Sequence, residues 1–421
     1  MQGEIAVAGA GIGGLSAALS LADAGFAVRV FESVPELRPL GVGINLLPHA
    51  VRELDELGLA APLEAAGVAC AELGYTTKRG QRIWAEPRGL RAGYRWPQIS
   101  IHRGLLQMAL LRAARERIGG ERIELGAQLE RFRARPDGVR LSLRDRAGAL
   151  RELDARVLVA ADGIHSCARR ALYPEEGPPR WNGAVMWRGV ARAAPLLDGR
   201  TMVMSGHAAQ KFVCYPIEPP GADGRQLLNF VAELRFAAGP LDEREDWNRR
   251  GELADFLPRF ADWRFGWLDV PALVRAADAV FVYPMVDRDP LPRWSFGPVT
   301  LLGDAAHPMY PIGSNGASQA ILDARVLTGC LRHYAGEPER ALARYDEIRR
   351  AATAEIVLAN RRQGPEAALQ LVEDRAPDGF AAIADVVSES ELAAIAEGYK
   401  RIAGFSVAEL NARGSLAAPT P

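Results

Sequence analysis

The sequence predicts an α/β chain, α+β overall, in which a Rossmann-like nucleotide-binding domain built from discontinuous segments carries an inserted mixed β-sheet and ends in helices. Three observations lead to this fold class. A glycine-rich turn at residues 9–14 joins two short apolar strands through a helix, the pattern of a parallel βαβ unit. Residues 181–283 contain longer segments rich in Trp, Phe, Tyr and Val, and helical patterns dominate residues 317–397.

The first βαβ unit contains the sequence GAGIGG at residues 9–14. Gly9 permits the tight turn, Gly11 allows a pyrophosphate to approach the backbone, and Gly14 allows the helix to pack closely on the strand. Glu32 ends the second strand, where a carboxylate accepts hydrogen bonds from an adenosine ribose. The unit therefore predicts a dinucleotide site. The alternative is a glycine-rich turn beside a solvated Glu32, and the motif does not separate NAD from FAD.

Glycines, prolines and the hydrophobic period set the elements that follow. They are a glycine loop at 38–45, a helix from Pro48 to Gly58, a hairpin at 73–86, a helix at 103–117, a meander at 128–153, a strand at 156–160, the second sheet at 181–283 with a helical stretch near 242–276, a strand at 299–302, helices at 317–397 and a disordered tail at 414–421. Because strands of the first sheet flank the second sheet in sequence, a cleft is expected between the two.

Composition excludes several classes of function. The 51 basic and 52 acidic side chains leave a formal net charge of −1, which gives no electrostatic basis for binding nucleic acid or an anionic membrane. No apolar run reaches the ~18 residues of a membrane span. The four cysteines are scattered without a CxxC pair, which indicates free thiols in a reducing cytoplasm and neither a zinc site nor a disulfide framework. We expect a cytoplasmic monomer or homodimer without a bound metal.

Two further motifs point to the same dinucleotide. DGIHSCAR begins at Asp162, directly after a predicted strand, and GDAAHP begins at Gly303 and leads to PIGSNGAS. A carboxylate at a strand end, such as that of Asp304, is placed to accept hydrogen bonds from sugar hydroxyls. Gly313 and Gly316 free the backbone just before a helix, whose N-terminus attracts an electron-rich carbonyl.

In this order the three motifs resemble those of the class A flavoprotein aromatic monooxygenases, the para-hydroxybenzoate and salicylate hydroxylase type, over roughly residues 4–360. The resemblance implies that the dinucleotide is FAD. It implies that Asp162 serves FAD and the nicotinamide donor, that Asp304 holds the flavin ribitol, and that Arg103 lies near the pyrophosphate. Alternatives stay open: Asp162 as a helix cap and Arg103 as a surface arginine. His307 is interpreted as a structural residue, with a catalytic role as its alternative.

A closer resemblance is to the phenazine hydroxylase branch, the 5-methylphenazine-1-carboxylate monooxygenases. It lies in the segments RPLGVGIN (38–45), IHRG (101–104), MWRGV (186–190) and YPMVDRDPLP (283–292). By resemblance to the family, the expected cofactor-binding residues are Gly9, Gly11, Gly13, Gly14, Glu32, Ser33, Arg38, Gly43, Ile44, Arg103, Leu129, Asp162, Gly163, Gly303, Asp304, Pro311, Gly313, Asn315, Gly316 and Ala317.

The resemblance implies an FAD-dependent monooxygenase that hydroxylates an aromatic or heteroaromatic small molecule in secondary metabolism. NAD(P)H reduces the flavin, O2 gives a C4a-hydroperoxyflavin, and this species delivers the hydroxyl group, so the chemistry is flavin-borne and no side chain is assigned as catalytic. No second GxGxxG precedes an acidic residue, so NADH or NADPH is expected to bind transiently. Two alternatives stay open: an oxidative decarboxylase or Baeyer-Villiger oxygenase, and a non-catalytic flavoprotein that traps a metabolite.

The substrate is expected between the flavin and the aromatic sheet. Arg188 is expected to pair with a substrate carboxylate, with a salt bridge as the alternative. Aromatic side chains are the other substrate-binding candidates, with ordinary sheet core as their alternative: Trp187, Phe212, Tyr215, Phe230 and Tyr283. The predicted FAD-binding domain takes residues 1–72, 101–180 and 284–360, the substrate-binding sheet takes 73–100 and 181–283, and the C-terminal helices and tail take 361–421.

Overall fold

The structure is a computed structural model that describes residues 3–39, 41–236 and 249–419. The strands in these ranges are β1 (Ile5–Ala8), β2 (Val28–Glu32), β3 (Gly43–Leu46), β4 (Val68–Cys70), β5 (Glu72–Thr76), β6 (Arg82–Pro87), β7 (Gln98–His102), β8 (Ile123–Leu125), β9 (Gln128–Arg135), β10 (Gly138–Arg144), β11 (Leu150–Ala155), β12 (Val157–Ala160), β13 (Arg180–Ala193), β14 (Thr201–His207), β15 (Gln210–Pro216), β16 (Gln226–Arg235), β17 (Arg264–Phe265), β18 (Leu268–Asp269), β19 (Val280–Asp287), β20 (Ser295–Phe296) and β21 (Val299–Leu301).

The helices in the same ranges are α1 (Ile12–Asp23), α2 (Pro48–Glu56), α3 (Ala60–Ala66), α4 (Arg103–Ile118), α5 (Cys167–Leu172), α6 (Leu253–Phe256), α7 (Val270–Arg275), α8 (Gly316–His333), α9 (Pro338–Arg361), α10 (Ala367–Arg375), α11 (Glu389–Ile402) and α12 (Val407–Ala412). Three short 3₁₀ turns also bear on the site: Gly303–Ala305, Ile312–Ser314 and Gly364–Glu366.

The first layer is a six-stranded sheet in the order β20-β21-β12-β1-β2-β8. Neighbouring strands are parallel except at the edge pair of β20 and β21, and Ile5 of β1 lies between Val28 of β2 and Val157 of β12. Helices α1, α4 and α8 pack together on this sheet around the largest apolar core. Since β12 and β21 come from distant parts of the chain, the prediction of a nucleotide-binding sheet assembled from discontinuous segments is confirmed.

The second layer is a seven-stranded mixed sheet in the order β19-β13-β16-β15-β14-β5-β6. The predicted hairpin at 73–86 contributes β5 and β6, and β5 pairs in parallel with β14. One face of the sheet buries aromatic side chains against α6 and α7, and the other face includes a core shared with α10 and α11. The predicted inserted sheet is confirmed, whereas the residue numbers of the domain boundaries stay predictions.

The C-terminal part differs from its prediction. Residues 414–419 were expected to be disordered, but Ala417 is buried and its carbonyl accepts a hydrogen bond from Arg332 of α8 at 2.8 Å. Ser415 donates to Glu56 of α2 at 2.6 Å. The prediction of a disordered tail is therefore wrong through residue 419, because polar groups at the ends of α2 and α8 bind the tail.

Of the helical stretch predicted near 242–276, residues 242–248 lie outside the described residues, and the remainder forms α6, α7 and a short β-ribbon.

Within the described ranges, no helix combines the length and the apolar character that crossing a membrane requires. Among the same residues, no group of three or more His, Cys, Asp or Glu side chains is arranged to hold a metal ion.

Candidate active site

A cavity of about 360 Å³ lies between the first sheet, the start of α8 and the second sheet. Its wall is formed on one side by the glycine turn before α1 and by the 3₁₀ turns before α8. On the other side it is formed by the face of β13, β14, β15 and β16 that does not pack on α6 and α7. The predicted cleft between the two sheets therefore exists, at the kind of sheet junction where ligands bind.

The glycine turn has the geometry that its sequence predicts. Gly9 has φ +102°, and a Cβ there would overlap the carbonyl oxygen of Ala161. A Cβ on Gly14 would overlap the Gly9 carbonyl oxygen, while a Cβ on Gly11 would meet nothing within 4 Å. Gly11 and Gly13 line the cavity. The first and last glycines thus serve packing, and Gly11 leaves open space at the N-terminus of α1, as a pyrophosphate site requires.

Glu32 braces this turn. Its Oε2 accepts a hydrogen bond from the Ala10 backbone N–H at 2.7 Å, and its Oε1 accepts one from Val34 N–H at 2.9 Å. The half-buried carboxylate therefore has local partners, and ribose binding by Glu32 stays a prediction.

Three other predicted cofactor residues do not line the cavity. Ser33 is exposed next to Glu32, and Arg38 is exposed and paired with Glu36 at 2.6 Å. Leu129 is buried in the core beneath the sheet of β9, β10 and β11. Their contact with an adenosine moiety stays a prediction.

Asp162 caps a helix and keeps one free acceptor. Its Oδ2 accepts the N–H of Cys167 at 2.8 Å, at the start of α5. Its Oδ1 is buried and has no hydrogen-bond partner among the described residues, and burial raises the pKa of the carboxyl group. Gly163, with φ +79°, lines the cavity beside it. The cap interpretation of Asp162 is therefore confirmed. Asp162 does not itself line the cavity, and its contact with a cofactor stays a prediction.

Asp304 and Arg103 bring opposite charges to the cavity. Both line the cavity, and the Asp304 side chain is open to it. Desolvation by the surrounding protein raises the pKa of the Asp304 carboxyl group, while electrostatic attraction to His307 and Arg103 opposes that shift. Gly303, with φ +62°, turns the backbone so that Asp304 points into the cavity. A carboxylate and a guanidinium here suit the sugar hydroxyls and phosphates of a dinucleotide.

His307 belongs to a buried ion cluster below the cavity floor. Its Nε2 lies 2.6 Å from Oδ2 of Asp323, whose Oδ1 lies 2.7 Å from Nε of Arg349. Burial would raise the pKa of Asp323, but His307 and Arg349 hold it below its usual value. The same Asp323 carboxylate accepts the Gly303 N–H at 3.1 Å. His307 does not line the cavity, so the structure favours the structural interpretation of this residue.

The segment before α8 presents backbone to the cavity. Pro311, Asn315, Gly316 and Ala317 line it, and a Cβ on Gly316 would meet nothing within 4 Å. Gly313 has φ +67° and does not line the cavity. The N-terminus of α8, an 18-residue helix, therefore faces the cavity and attracts negative charge there.

The β3 segment links the two sides of the cavity. The N–H of Gly43 donates to Oδ1 of Asn229 at 2.7 Å, and its carbonyl accepts from Nη2 of Arg188 at 2.8 Å. A Cβ on Gly43 would lie 2.7 Å from the Asn229 Cβ. Gly43 and Ile44 both line the cavity. Only glycine allows the segment to approach the second sheet this closely.

The second sheet corrects part of the substrate prediction. Trp187, Phe212 and Phe230 lie on the face that packs on α6 and α7, and none of them lines the cavity. Phe212 and Phe230 stack on each other with ring centroids 5.9 Å apart. These three residues are therefore ordinary sheet core. The physical reason is that successive side chains of a strand point to opposite faces.

The other predicted substrate residues lie on the cavity face. Arg188 and Tyr215 line the cavity. Tyr283 shares this face because it pairs with Met186, but it packs with Met285 and Tyr310 and does not line the cavity.

Sequence reasoning missed most of the wall of the second sheet. Methionines and three charged residues line it: Met186, Met202, Met204, Met285, Lys211, Glu233 and Glu366. The period of two along each strand was a usable signal, since once Arg188 is placed in the cavity, Met186 must share its face. Glu366 carries no such signal because it comes from the 3₁₀ turn before α10.

The chain is similar in sequence to an FAD-binding family and to two named hydroxylating enzymes. A family described as an FAD binding domain matches residues 2–360. Phenazine 1,6-dicarboxylic acid hydroxylase PhzS from Lysobacter antibioticus is 45% identical over 393 residues, which is 92% of this chain and 96% of the relative. The 3-amino-4-hydroxybenzoate 2-monooxygenase from Streptomyces cremeus is 35% identical over 370 residues, 86% of this chain and 87% of the relative.

Two solved structures share the fold of this chain. An HpxO variant from Klebsiella pneumoniae complexed with FAD has a TM-score of 0.71 at 25% identity and covers 96% of this chain and 95% of its own. A salicylate hydroxylase in complex with substrate shares the fold with a TM-score of 0.73 at 23% identity, over 99% of this chain and 98% of its own. The fold is thus found in a protein that holds FAD.

Proposed function

The chain belongs to the FAD-dependent aromatic monooxygenases that share this FAD-binding domain, and from that premise we propose that its substrate is a phenazine carboxylic acid. The chain is an FAD-dependent enzyme that hydroxylates an aromatic ring with NAD(P)H and O2. FAD supplies the oxygen-transfer chemistry when bound. The choice of ring and acid group is the proposal.

Two facts support the choice of substrate. The relative that is 45% identical is named for a phenazine dicarboxylic acid, and a role in secondary metabolism is proposed on the same ground. The proposal of an acidic substrate rests on Arg188. This residue lies in a methionine-lined wall of the cavity, and its buried Nε has no hydrogen-bond partner among the described residues. A flat apolar ring fits the methionines, and a carboxylate fits the guanidinium.

The protein's own groups are proposed to hold the cofactor and exclude water. Gly11 and Gly163 leave room for phosphates and sugar, Arg103 offers charge to the pyrophosphate, and Asp162 Oδ1 and Asp304 accept hydrogen bonds from hydroxyl groups. The N-terminus of α8 offers a partial positive charge to the flavin carbonyl edge, worth about 1–2 kcal/mol in a partly buried site.

Activity with a panel of acids tests this proposal. NAD(P)H oxidation is measured with phenazine, quinoline, indole and benzoate acids, released peroxide is subtracted, and product mass is recorded. We expect the largest stimulation with a phenazine acid and a product heavier by one oxygen. Loss of CO2 or ring expansion would assign the chain to another flavin reaction, and stimulation by a benzoate alone would contradict the phenazine assignment.

Arg188→Met tests the acid contact. Losing a hydrogen-bonded charge pair costs about 1.5–3 kcal/mol, so KM for the acid should rise by about 10-fold or more while KM for the matching neutral amide stays within about twofold. Arg192→Met on the same strand is the control, because Arg192 is exposed and pairs with Glu218. An equal effect of Arg188→Met on acid and amide would remove Arg188 from substrate binding.

The assembly and the compartment are also proposals. The four cysteines are free thiols, three of them buried, which supports a reducing cytoplasm. Light scattering of the purified holoenzyme separates a monomer from a homodimer.

A further inference from the structure

Three charged side chains form a cluster in the cavity wall: Lys211, Glu233 and Glu366. Lys211 pairs with Glu233 across β15 and β16, with Nζ 2.9 Å from Oε2. Glu366, at the end of the 3₁₀ turn before α10, accepts a second hydrogen bond from the same ammonium group. The three residues are only 5, 4 and 6% exposed, and all line the cavity. Two separate parts of the chain therefore converge to place ions beside the substrate space.

The cluster contains one more acidic side chain than basic side chains. One ammonium group faces two carboxylates, and a buried charge is costly unless it is paired. Burial would lower the pKa of Lys211, but Glu233 and Glu366 raise it above its usual value, so the lysine stays charged. Burial raises the pKa of Glu366; Lys211 opposes this shift and Glu233 adds to it. The cluster thus contains one more acceptor group than its lysine can neutralise.

The excess lies on one side of Arg188. In the sheet, Arg188 is opposite Val231, and Glu233 is two residues further along the same strand, opposite Met186. The Arg188 guanidinium extends to the carbonyl of Gly43, which pairs with Asn229, on the other side of Val231. The cavity wall therefore presents a cation towards β3 and carboxyl groups away from it, with Met186 and Val231 beside them on the same face.

We propose that Glu233 and Glu366 form a donor subsite for the substrate. In this subsite the carboxylates accept a hydrogen bond from a ring hydroxyl, an amino group or a protonated ring nitrogen that lies across the ring system from the acid group. A second carboxylate at that position is disfavoured by like-charge repulsion. The inference rests on the proposed function, because it assigns the acid group to Arg188. The preferred substrate class is an aromatic monoacid with a donor on its far side.

Binding of three probes to the holoenzyme tests the subsite. Calorimetry at about pH 8, where carboxylic acids are ionised, compares 6-hydroxyphenazine-1-carboxylate, phenazine-1-carboxylate and phenazine-1,6-dicarboxylate. We expect the hydroxy acid to bind at least about tenfold more tightly than the diacid. Glu233→Gln and Glu366→Gln each neutralise the surplus charge, so each should bring this ratio to within about twofold. Glu175→Gln, which changes an exposed side chain, should keep the wild-type ratio.

The possible outcomes separate this inference from the proposed function. A diacid that binds wild-type enzyme as tightly as the hydroxy acid, or an unchanged ratio in both glutamine variants, overturns the subsite. If no phenazine acid binds, the proposed function fails, and the ratio of 3-hydroxybenzoate to isophthalate decides the subsite by the same criterion. If neither member of that pair binds, both proposals fall. If Glu233→Gln does not fold, the wild-type ratio and Glu366→Gln, which alters a different element, decide the question.

Discussion

At the scale of single residues, the same substitution should have different effects at two glycines of one turn: at Gly9 it should lower stability, and at Gly11 it should lower FAD affinity. Gly9→Ala forces a Cβ into the Ala161 carbonyl oxygen at φ +102°, so it should destabilise the FAD-free protein by about 2 kcal/mol or more. Gly11→Ala has open space and φ −72°, so unfolding should change by less than about 0.5 kcal/mol. The new methyl group projects into the cavity, however, and FAD affinity should fall by about tenfold or more.

Thermal unfolding of FAD-free protein and titration of FAD fluorescence measure the two effects separately. Gly25→Ala is the control. Gly25 has positive φ (+83°) like Gly9 and open space like Gly11, but it lies in the loop after α1, far from the cavity. If Gly11→Ala binds FAD with wild-type affinity, the pyrophosphate does not approach this turn.

The success of residue-level prediction depends on how local the constraint is. The motif predicts that Gly9 permits the tight turn and that Gly14 lets the helix pack on the strand. A Cβ on Gly9 would overlap the Ala161 carbonyl oxygen and one on Gly14 the Gly9 carbonyl oxygen, which gives both predictions a steric cause. Asp162 could be narrowed only to two alternatives, because its cap is local whereas its free Oδ1 depends on a burial that tertiary packing creates. Glu366 could not be predicted at all, since its partner Lys211 is 155 residues away in sequence.

At the scale of elements, α11 holds the segment in front of α8. The Tyr399 hydroxyl donates to Oδ1 of Asn360 at 2.7 Å and accepts from Nδ2 of Asn315 at 2.8 Å. A Cβ on Gly313 would overlap this hydroxyl. The glycine that appears in sequence as a cofactor contact is thus required by a tyrosine of the C-terminal helices.

Tyr399→Phe should therefore act on the cofactor site from outside it. It leaves the buried Oδ1 of Asn360 without this donor and frees Asn315, which lines the cavity, at a cost of about 1–3 kcal/mol in the free energy of unfolding. FAD affinity should fall as well, because the start of α8 is no longer held. Denaturant unfolding and FAD titration check the two effects.

Tyr173→Phe is the matched control for Tyr399→Phe. It removes a hydrogen bond of 2.7 Å to the Arg293 carbonyl that lies at the surface, away from α8. If Tyr399→Phe lowers stability but leaves FAD affinity at the Tyr173→Phe value, α11 only supports the fold and does not position the cofactor segment.

At the scale of the whole molecule, the arrangement of the two sheets was predictable and the face of the second sheet was not. Parallel strands, glycine turns and strand order in the chain define the first sheet through local patterns. The second sheet is buried on both faces, and its cavity face mixes Arg188, Lys211 and Glu233 with methionines and valines, so hydrophobicity along the strands does not mark the cavity. Aromatic residues were therefore assigned to the cavity, while the structure places methionines there and packs Trp187, Phe212 and Phe230 on α6 and α7.

Adjacent residues of β16 should separate these two faces experimentally. Phe230 is fully buried in the core against α6 and α7, and Val231 lines the cavity. Phe230→Ala should cost about 3–5 kcal/mol in the free energy of unfolding and leave the KM of the folded fraction within about twofold. Val231→Phe fills substrate space, so it should raise KM by about tenfold or more with little loss of stability. Denaturant unfolding and steady-state kinetics with the best acid of the panel measure both quantities. A raised KM in Phe230→Ala together with an unchanged KM in Val231→Phe would mean that the substrate lies on the other face, because the two side chains cannot exchange faces without a one-residue shift of the strand.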